Sequence, residues 1–393
     1  MKHVKLVFIT FPKYLFMALM LKKSRTVDYF YDMKILSLFV ILSAVLFSCD
    51  SQKKKDISTG ENVARYAKYL RIIEKGNLTT IEILSPETGE VEQTLNVSKE
   101  MIKTSHFLQV PVSKMAVLSS THVGMLSELN EIDKIAGITN RLYVYNKELL
   151  ESIEKDKVVE LGEEGQIPVE ALLKTKCQAL IYSGFGKQYP HQKQLNAAMV
   201  RCIANYDWRE LHPLGKAEWI LLFGYLTGKE KQAKLYFDKI EKEYLALEEK
   251  ASKLKNFPTV LEGNLFGESW FAPAGESFKA KLLKDAHVRY QYADTKGTGS
   301  LPLTLEKILS DNLDTEHWIN PGFPTKEKLF AFHPKLKYLG PVTKNKIFDF
   351  SKSGNRYWEL SAIEPQKILS DYLSIFHPTE FPKENLYFYQ EVK

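Results

Sequence analysis

Cysteine is scarce in this sequence, with three residues among 393. A scaffold held together by disulfides needs more, so the class of small disulfide-rich secreted domains is excluded. Cys49 ends an apolar segment, whereas Cys177 and Cys202 lie close to predicted strands. We expect Cys177 and Cys202 to be either two buried thiols or a disulfide between neighbouring strands.

The chain also lacks an excess of charge of one sign over most of its length. The formal net charge is +6, but residues 1–48 hold seven Lys or Arg and two acidic residues, which leaves the rest close to neutral. Non-specific nucleic-acid binding needs a dense basic face. We therefore expect no nucleic-acid partner. The apolar fraction of 44% is ordinary for a globular protein.

Signatures of common enzymes are missing from the sequence. It has no G-x-x-x-x-G-K-[ST] loop, no H-E-x-x-H, no C-x-x-C and no G-x-S-x-G. The nine histidines are scattered and form no cluster that we interpret as a metal site. We therefore expect a protein that is not an enzyme, with no metal site of its own and no cofactor apart from a bound cargo.

Long apolar runs are confined to the N-terminus. Residues 35–47 form one run, which is of signal-peptide length and short for a membrane span. It ends in Leu46-Phe47-Ser48-Cys49, which looks like a bacterial lipobox. We expect translation to start at Met33, residues 1–48 to be a signal region, Cys49 to be lipidated, and residues 49–62 to tether the protein to the membrane on the periplasmic side of the cell envelope. The alternatives are a single-pass anchor and a buried core helix that ends at an incidental cysteine.

Strands and helices alternate along the remaining chain. Residues 66–97 alternate apolar and polar side chains and predict a small antiparallel β unit. The strands and helices that follow predict an N-terminal α/β lobe, which with the β unit fills residues 63–214, and a C-terminal α/β lobe in residues 256–393. The strands are predicted at 115–118, 135–138, 179–182, 200–204, 259–262, 317–320 and 347–350.

One long helix is predicted between the two lobes. From residue 229 to 254 the apolar side chains recur at spacings of four and three, which places them in one stripe of a helix. At 1.5 Å per residue this helix is about 39 Å long, enough to bridge two lobes. Together with a shorter helix before it, it makes up the bridging segment 215–255. A ligand cleft is expected between the lobes, outside the carboxyl ends of the strands.

Aromatic residues concentrate at predicted strand ends and loops. They suit a large, flat or apolar ligand, although a tryptophan on a loop more often caps a core. A turn with hydroxyl groups also precedes the first helix of the N-terminal lobe, where it caps the helix, receives an anionic group of a ligand, or does both. The predicted ligand-binding residues are Ser119, Thr121, His122, Tyr143, Tyr145, Phe185, Trp208, Trp270, Phe271, Trp318 and Trp358.

Several segments resemble one protein family. Residues 117–122 (VLSSTH), followed by a helix and residues 135–138 (IAGI), are similar to the opening of the iron-complex and cobalamin class of periplasmic substrate-binding proteins. Residues 213–219 (PLGKAEW) resemble a segment of the lipoprotein branch of that family, as do residues 269–277 and 357–359. The resemblance covers residues 65–391.

The resemblance implies an architecture and a partner. The fold would be two Rossmann-like lobes joined by a single long rigid helix, with a small hinge motion. The protein would deliver its cargo to the permease dimer of an ABC importer, which works with an ATPase. The two permease-docking residues of the family correspond here to Glu170 and Glu306. Each would otherwise be an ordinary exposed helix residue.

The resemblance narrows the cargo to a metal chelate. Cobalamin binding in the family uses a Trp where this chain has Ser300, and haem binding uses a Tyr close to Tyr143 and Tyr145. A siderophore would favour basic groups such as Arg141, which we add to the ligand-binding residues, and Arg209. We expect an iron siderophore or a corrinoid. Haem is the alternative cargo, and an envelope enzyme or structural lipoprotein is the alternative function.

Overall fold

A computed structural model describes residues 60–100, 107–185, 188–350, 356–382 and 385–393. The predicted start at Met33, the signal region, the lipidated Cys49 and the tether up to residue 59 lie outside the described residues. Across the described ranges, no helix combines the length and the hydropathy that crossing a membrane requires.

The predicted antiparallel β unit is present. Its four strands are β1 (Leu70–Lys75), β2 (Leu78–Leu84), β3 (Val91–Ser98) and β4 (Phe107–Gln109). The first three pair antiparallel, and β4 is added parallel to β3. The alternation seen in the sequence is the physical reason, since Ile81 and Ile83 of β2 are fully buried while Thr80 and Glu82 are partly exposed.

The first lobe is built on a parallel sheet of five strands in the order β7-β6-β5-β8-β9. Its short strands are almost wholly apolar, as expected for a sheet that is covered on both faces. The strands are β5 (Met115–Val117), β6 (Ile135–Ile138), β7 (Val159–Glu160), β8 (Ala179–Tyr182) and β9 (Arg201–Ala204). The helices are α1 (Ser120–Glu128), α2 (Lys147–Glu154), α3 (Val169–Lys174) and α4 (Gln192–Ala197).

Three helices link the first lobe to the second. They are α5 (Pro213–Glu218), α6 (Ile220–Thr227) and α7 (Glu230–Ala251). The 22-residue α7 buries the predicted apolar stripe, including Phe237 and Ile240. The expected single bridging helix is not confirmed, because α7 is the last of three successive helices.

The long helix α7 contacts both lobes. Near its start, Gln232 donates to the carbonyl oxygen of Glu128 in α1 at 3.2 Å. Near its end, the hydroxyl of Tyr244 donates to Asp285 in the second lobe at 2.6 Å. Helix α7 therefore contacts both lobes.

The second lobe contains another five-stranded sheet, in the order β13-β10-β15-β16-β17. Its strands pair parallel except β17, which runs antiparallel at the edge. The strands are β10 (Thr259–Glu262), β13 (Arg289–Tyr290), β15 (His317–Ile319), β16 (Ile347–Asp349) and β17 (Gln390–Glu391). The helices are α8 (Phe278–Asp285), α9 (Leu305–Asp311), α10 (Lys326–Phe332), α11 (Gly340–Thr343), α12 (Tyr357–Leu360) and α13 (Pro365–Phe376).

A three-stranded antiparallel sheet was not foreseen from the sequence. It consists of β11 (Asn264–Phe266), β12 (Ser269–Pro273) and β14 (Ser300–Thr304), in that order. The segment that carries Trp270 and Phe271 is therefore a strand, although the sequence placed it on a loop. Successive residues of a strand point to opposite faces, so Trp270 is fully buried while Phe271 is exposed.

The PLGKAEW segment makes a structural junction. The buried carboxylate of Glu218 accepts hydrogen bonds from three backbone N–H groups, those of residues 65, 66 and 67, each at 2.7 Å. Gly215 is required because a Cβ there would lie 2.8 Å from the carbonyl oxygen of Tyr66. The indole N–H of Trp219 donates to buried Glu210 at 2.9 Å. The segment thus fastens the chain before β1 to the bridging helices.

Candidate functional site

A cavity of about 800 Å³ lies between the two lobes. The first lobe contributes Trp208 and Arg209, which follow β9, and the second lobe supplies the remaining wall. In the second lobe, the lining residues Gly263, Asn320 and Phe350 directly follow β10, β15 and β16. The cavity therefore opens at the carboxyl ends of parallel strands, where α/β proteins bind ligands. The lining comprises Trp208, Arg209, Gly263, Asn264, Phe271, Pro273, Ser277, Phe278, Lys279, Thr298, Gly299, Ser300, Asn320, Gly322, Asp349, Phe350 and Trp358.

Aromatic side chains form much of this lining. Trp208 is fixed by its indole N–H, which donates to the carbonyl oxygen of Ser183 at 2.7 Å. Phe350 meets Trp358 edge to face, with ring centroids 5.2 Å apart. Trp358 remains 52% exposed, so its ring is available to a ligand. Faces and edges of this kind stack on flat ligands and cover apolar ones.

Among the described residues, two cationic side chains line the cavity, one from each lobe. Arg209 lies over the ring of Trp208, 5.2 Å from its centroid. Lys279, at the start of α8, places Nζ 3.1 Å from a carboxylate oxygen of fully buried Glu262. Burial lowers the pKa of Lys279, but the combined effect of Glu262, Tyr357 and Asp349 outweighs this and the pKa is raised. Lys279 therefore stays charged at neutral pH and can bind an anionic group.

The cavity floor also presents a polar atom without a partner. Asn320 donates its amide N–H to Glu262 at 2.9 Å. Its side-chain oxygen is buried and has no hydrogen-bond partner among the described residues. A buried acceptor left alone costs about 1–3 kcal/mol. A ligand or water donor at this oxygen would remove that cost.

The hydroxyl turn before α1 caps the helix. Ser119 accepts a hydrogen bond from the backbone N–H of Thr121, and the two hydroxyl oxygens lie 3.0 Å apart. Neither residue lines the cavity, so the capping alternative describes what this turn does.

His122 is a core residue rather than a cleft residue. Its side chain is 1% exposed and its ring lies 5.6 Å from that of Phe223 in α6. Burial lowers the pKa of His122 to about 3, so the imidazole is neutral. The prediction that His122 binds ligand is wrong, because packing of α1 on α6 turns it inward.

Trp270 and Trp318 are also core residues, and the prediction that they bind ligand is wrong. Both are fully buried, with ring centroids 5.2 Å apart. The indole N–H of Trp318 donates to the carbonyl oxygen of Gly263 at 2.9 Å, and Gly263 lines the cavity. Trp270 and Trp318 therefore pack behind the cavity wall and hold Gly263 in place.

The loop after β6 lies outside the cavity. Arg141 pairs with Glu154 at 3.7 Å, and Tyr143 is half exposed. The backbone N–H of Tyr145 donates to Glu359 at 2.7 Å, as does that of Asn146. Arg141, Tyr143 and Tyr145 therefore do not line this cavity, and their part in ligand binding stays a prediction.

That contact is part of a tight junction between the lobes. Glu359 of α12 is fully buried and also accepts a hydrogen bond from Nε of Arg356 at 2.7 Å. A Cβ added to Gly124 of α1 would lie 1.9 Å from the carbonyl oxygen of Glu359, so only glycine allows this approach.

Three of the predicted ligand-binding residues line the cavity, namely Trp208, Phe271 and Trp358. Phe185 is 69% exposed and lies beside Trp208, with ring centroids 5.5 Å apart. Lys279, Phe278, Asn320 and Phe350 were missed. Position after a strand or at a helix start, rather than residue type alone, was the signal that could have found them.

The two predicted docking residues are exposed, and each lies in the first turn of a helix. Glu170 is the second residue of α3, which leads into β8, and Glu306 is the second residue of α9, which leads into β15. Because a helix that connects parallel strands runs antiparallel to them, both helix starts lie toward the carboxyl ends of the strands. Among the described residues neither carboxylate takes part in an ion pair.

Cys177 and Cys202 are free and buried. Burial raises the pKa of both thiols, that of Cys202 to about 12. Of the two alternatives, the structure therefore has the pair of buried thiols.

Comparison with known proteins gives consistent results. A family described as periplasmic binding protein matches residues 115–328, more than half of the chain. An uncharacterized lipoprotein of Methanocaldococcus jannaschii is 22% identical over 90% of this chain and 94% of its own length. A periplasmic heme binding protein from Pseudomonas aeruginosa superposes with a TM-score of 0.55 at 14% identity, over 72% of this chain and 98% of that one. A TroA-like periplasmic binding protein from Veillonella parvula superposes with a TM-score of 0.55 at 14% identity, over 79% of this chain and 99% of that one. At such low sequence identities, the structural matches show only that the fold is similar.

Proposed function

This chain belongs to the periplasmic binding protein family, and we propose that it captures a metal chelate, an iron siderophore or a corrinoid, and delivers it to an ABC importer. The observation that carries the proposal is the cavity between the lobes. Its volume of about 800 Å³ is within the range of small-molecule and cofactor sites. A substrate carrier needs such a site at a lobe boundary, where closure can enclose the cargo.

The chemistry of the lining supports a large cargo that is partly aromatic or apolar and carries polar groups. Trp208, Phe271, Phe350 and Trp358 offer ring faces and edges. Arg209 and Lys279, which both line the cavity, can bind carboxylate, catecholate or phosphate oxygens. Siderophores and corrinoids combine these features.

The same lining favours a chelate over haem. Haem iron is held in proteins by His, Cys, Met or Tyr side chains. The two candidates for that role, Tyr143 and Tyr145, lie outside the cavity. In a siderophore or corrinoid the chelating ligand occupies most of the metal's coordination sphere. Such a cargo needs stacking and charge from the protein more than it needs a metal ligand.

Delivery would use the two exposed carboxylates on the rim of the lobes. Members of the family pass their ligands to the permease of an ABC transporter. Glu170 and Glu306 each lie in the first turn of a helix and are exposed, so arginines of a permease dimer can reach them. A carboxylate and an arginine in a partly dried interface form a strong, often bidentate, hydrogen-bonded pair. One such pair on each lobe would fix the docked orientation.

The envelope is the compartment that fits this role. The family is periplasmic, and the Methanocaldococcus jannaschii relative is a lipoprotein. Lipidation at Cys49 would hold the protein beside its permease, on the periplasmic side of the membrane. Cys49→Ala should release the protein into the soluble fraction or leave the signal uncleaved.

Fluorescence titration tests the proposed cargo. Trp208 and Trp358 line the cavity, so a bound chelate should quench them. We expect saturable quenching by a ferric siderophore or by cyanocobalamin, and weaker or no binding of haemin. Phe271→Ala should lower the affinity by about five- to thirtyfold, since it removes an aromatic contact worth about 1–2 kcal/mol. Phe266→Ala is the matched control, because Phe266 is exposed on the neighbouring strand and does not line the cavity. Equal affinities of both variants for every chelate would contradict the proposal.

A further inference from the structure

The N-terminal β unit (β1–β4) lies outside the region that matches the family. That region begins at residue 115, whereas β4 ends at Gln109. The unit nevertheless reaches the cavity, because the turn between β2 and β3 lies beside the segment that carries Trp208 and Arg209.

Five hydrogen bonds among the described residues hold the β unit against that segment and the strands before it. Gln93 accepts a hydrogen bond from the backbone N–H of Ala204 at 3.0 Å and donates to the hydroxyl of Tyr182 at 2.9 Å. The hydroxyl of Tyr206 donates to Glu92 at 2.6 Å. Glu210 accepts hydrogen bonds from two backbone N–H groups at the start of the unit. Residues on both sides of Trp208 and Arg209 are therefore tied to the unit.

The turn between β2 and β3 places the carboxylate of Glu87 next to Arg209 of the cavity. Glu87 lies 3.0 Å from Nη1 of Arg209, in a pair that is partly exposed. The turn is closed by a hydrogen bond from the backbone N–H of Ser85 to the carbonyl oxygen of Glu90 at 2.8 Å. Arg209 thus lies between the ring of Trp208 and the carboxylate of Glu87.

We propose that Glu87 sets the charge preference of the cavity by acting as the counter-ion of Arg209. An anionic group of the cargo must share the guanidinium with Glu87 and is repelled by its carboxylate, so strongly anionic chelates bind less tightly than they would to an unpaired arginine. Neutral chelates are unaffected, and cationic ones gain. This role in cargo selection rests on the proposed function, whereas the effect on local charge does not.

A quenching experiment measures the local charge without any cargo. Of the five tryptophans, Trp219, Trp270 and Trp318 are fully buried, so Trp358→Phe leaves Trp208 as the accessible one. In that background Glu87→Gln should raise quenching by iodide and lower quenching by caesium, each by about twofold at low salt. Glu90→Gln, in the same turn, is the control and should change both far less. Unchanged quenching by both ions in Glu87→Gln would overturn the proposal.

Titration with chelates of different charge tests the selection itself. With Glu87→Gln in the otherwise unchanged chain, we expect roughly three- to tenfold tighter binding of a ferric tris-catecholate at low salt, and less gain at high salt. Cyanocobalamin should bind as to the parent, and cationic ferrioxamine B more weakly. If Glu87→Gln lost affinity to a similar extent for all three chelates, Glu87 would only position the site, and the proposal would be overturned. If quenching shifts as expected but the parent binds none of these chelates, the charge effect of Glu87 stands and the proposed cargo is wrong.

Discussion

Removing the carboxylate of Glu359 should weaken the junction between the lobes. Its Oε1 accepts the backbone N–H groups of Tyr145 and Asn146, both at 2.7 Å, and its Oε2 accepts Nε of Arg356. Glu359→Ala leaves two backbone donors and a guanidinium without their acceptor. The two backbone donors cost about 1–3 kcal/mol each, whereas Arg356 is partly exposed, keeps Ser127 as a partner and loses less, so the free energy of unfolding should fall by about 3–5 kcal/mol.

Glu359→Gln separates hydrogen bonding from charge. The amide oxygen of Gln can still accept both backbone N–H groups, so the loss should be about 1–2 kcal/mol. Glu327→Ala is the control, since this exposed residue lies in the first turn of α10, and a change within about 0.5 kcal/mol is expected. Urea denaturation followed by circular dichroism measures all three. A loss below about 1 kcal/mol in Glu359→Ala would refute the reasoning.

Three further predictions concern the core, the pH dependence and transport. Trp270→Ala should cost about 3–5 kcal/mol of stability in urea denaturation, because its side chain is fully buried, whereas Phe271→Ala on the same strand should cost less than half as much; equal losses would contradict the assigned faces. The pKa of His122 is about 3 when folded and near 6.5 when unfolded, so the unfolded chain binds a proton that the folded chain excludes, and stability falls as the pH drops from 6.5 toward 3. Over that window His122→Leu should lose stability less steeply than the parent, by about 1.4 kcal/mol per pH unit, and parallel curves would contradict the neutral imidazole. Glu170→Arg combined with Glu306→Arg should abolish uptake while the melting temperature and cargo affinity stay near parental values, and uptake at the parental rate would exclude the docking role.

The strands and the long helix could be predicted because their signal is local. Strands 135–138, 179–182 and 259–262 are short apolar runs, and the structure has each of them with the predicted bounds. Helix α7 carries a regular stripe over 22 residues. In each case the residues that determine the element lie within it.

The sheet of β11, β12 and β14 could not be predicted in the same way. Strand β12 pairs with β14, which begins at Ser300, so the burial of Trp270 depends on a strand that is distant in sequence. The burial of His122 likewise depends on Phe223 of α6. Residue type alone suggested ligand binding in both cases, and packing against distant segments decided otherwise.

The sequence predicted where the candidate site lies better than it predicted which residues line it. Its place between the lobes, at the carboxyl ends of strands, follows from the α/β pattern. Lys279 was not foreseen, because a lysine in a helix is commonly exposed and only its pairing with Glu262 marks it. Glu87 was missed for a similar reason, since its partner Arg209 lies far along the chain.

Blocking the cavity tests the central claim most directly. Gly299 lines it, its backbone is not in the left-handed region, and a Cβ there would meet no atom within 4 Å. Gly299→Trp can therefore fill the cavity without straining the fold, while Gly299→Ala leaves it open. By calorimetric titration with a chelate that the parent binds, we predict that Gly299→Trp loses binding and Gly299→Ala keeps it, with melting temperatures unchanged. Parental affinity in Gly299→Trp would show that the cargo binds elsewhere.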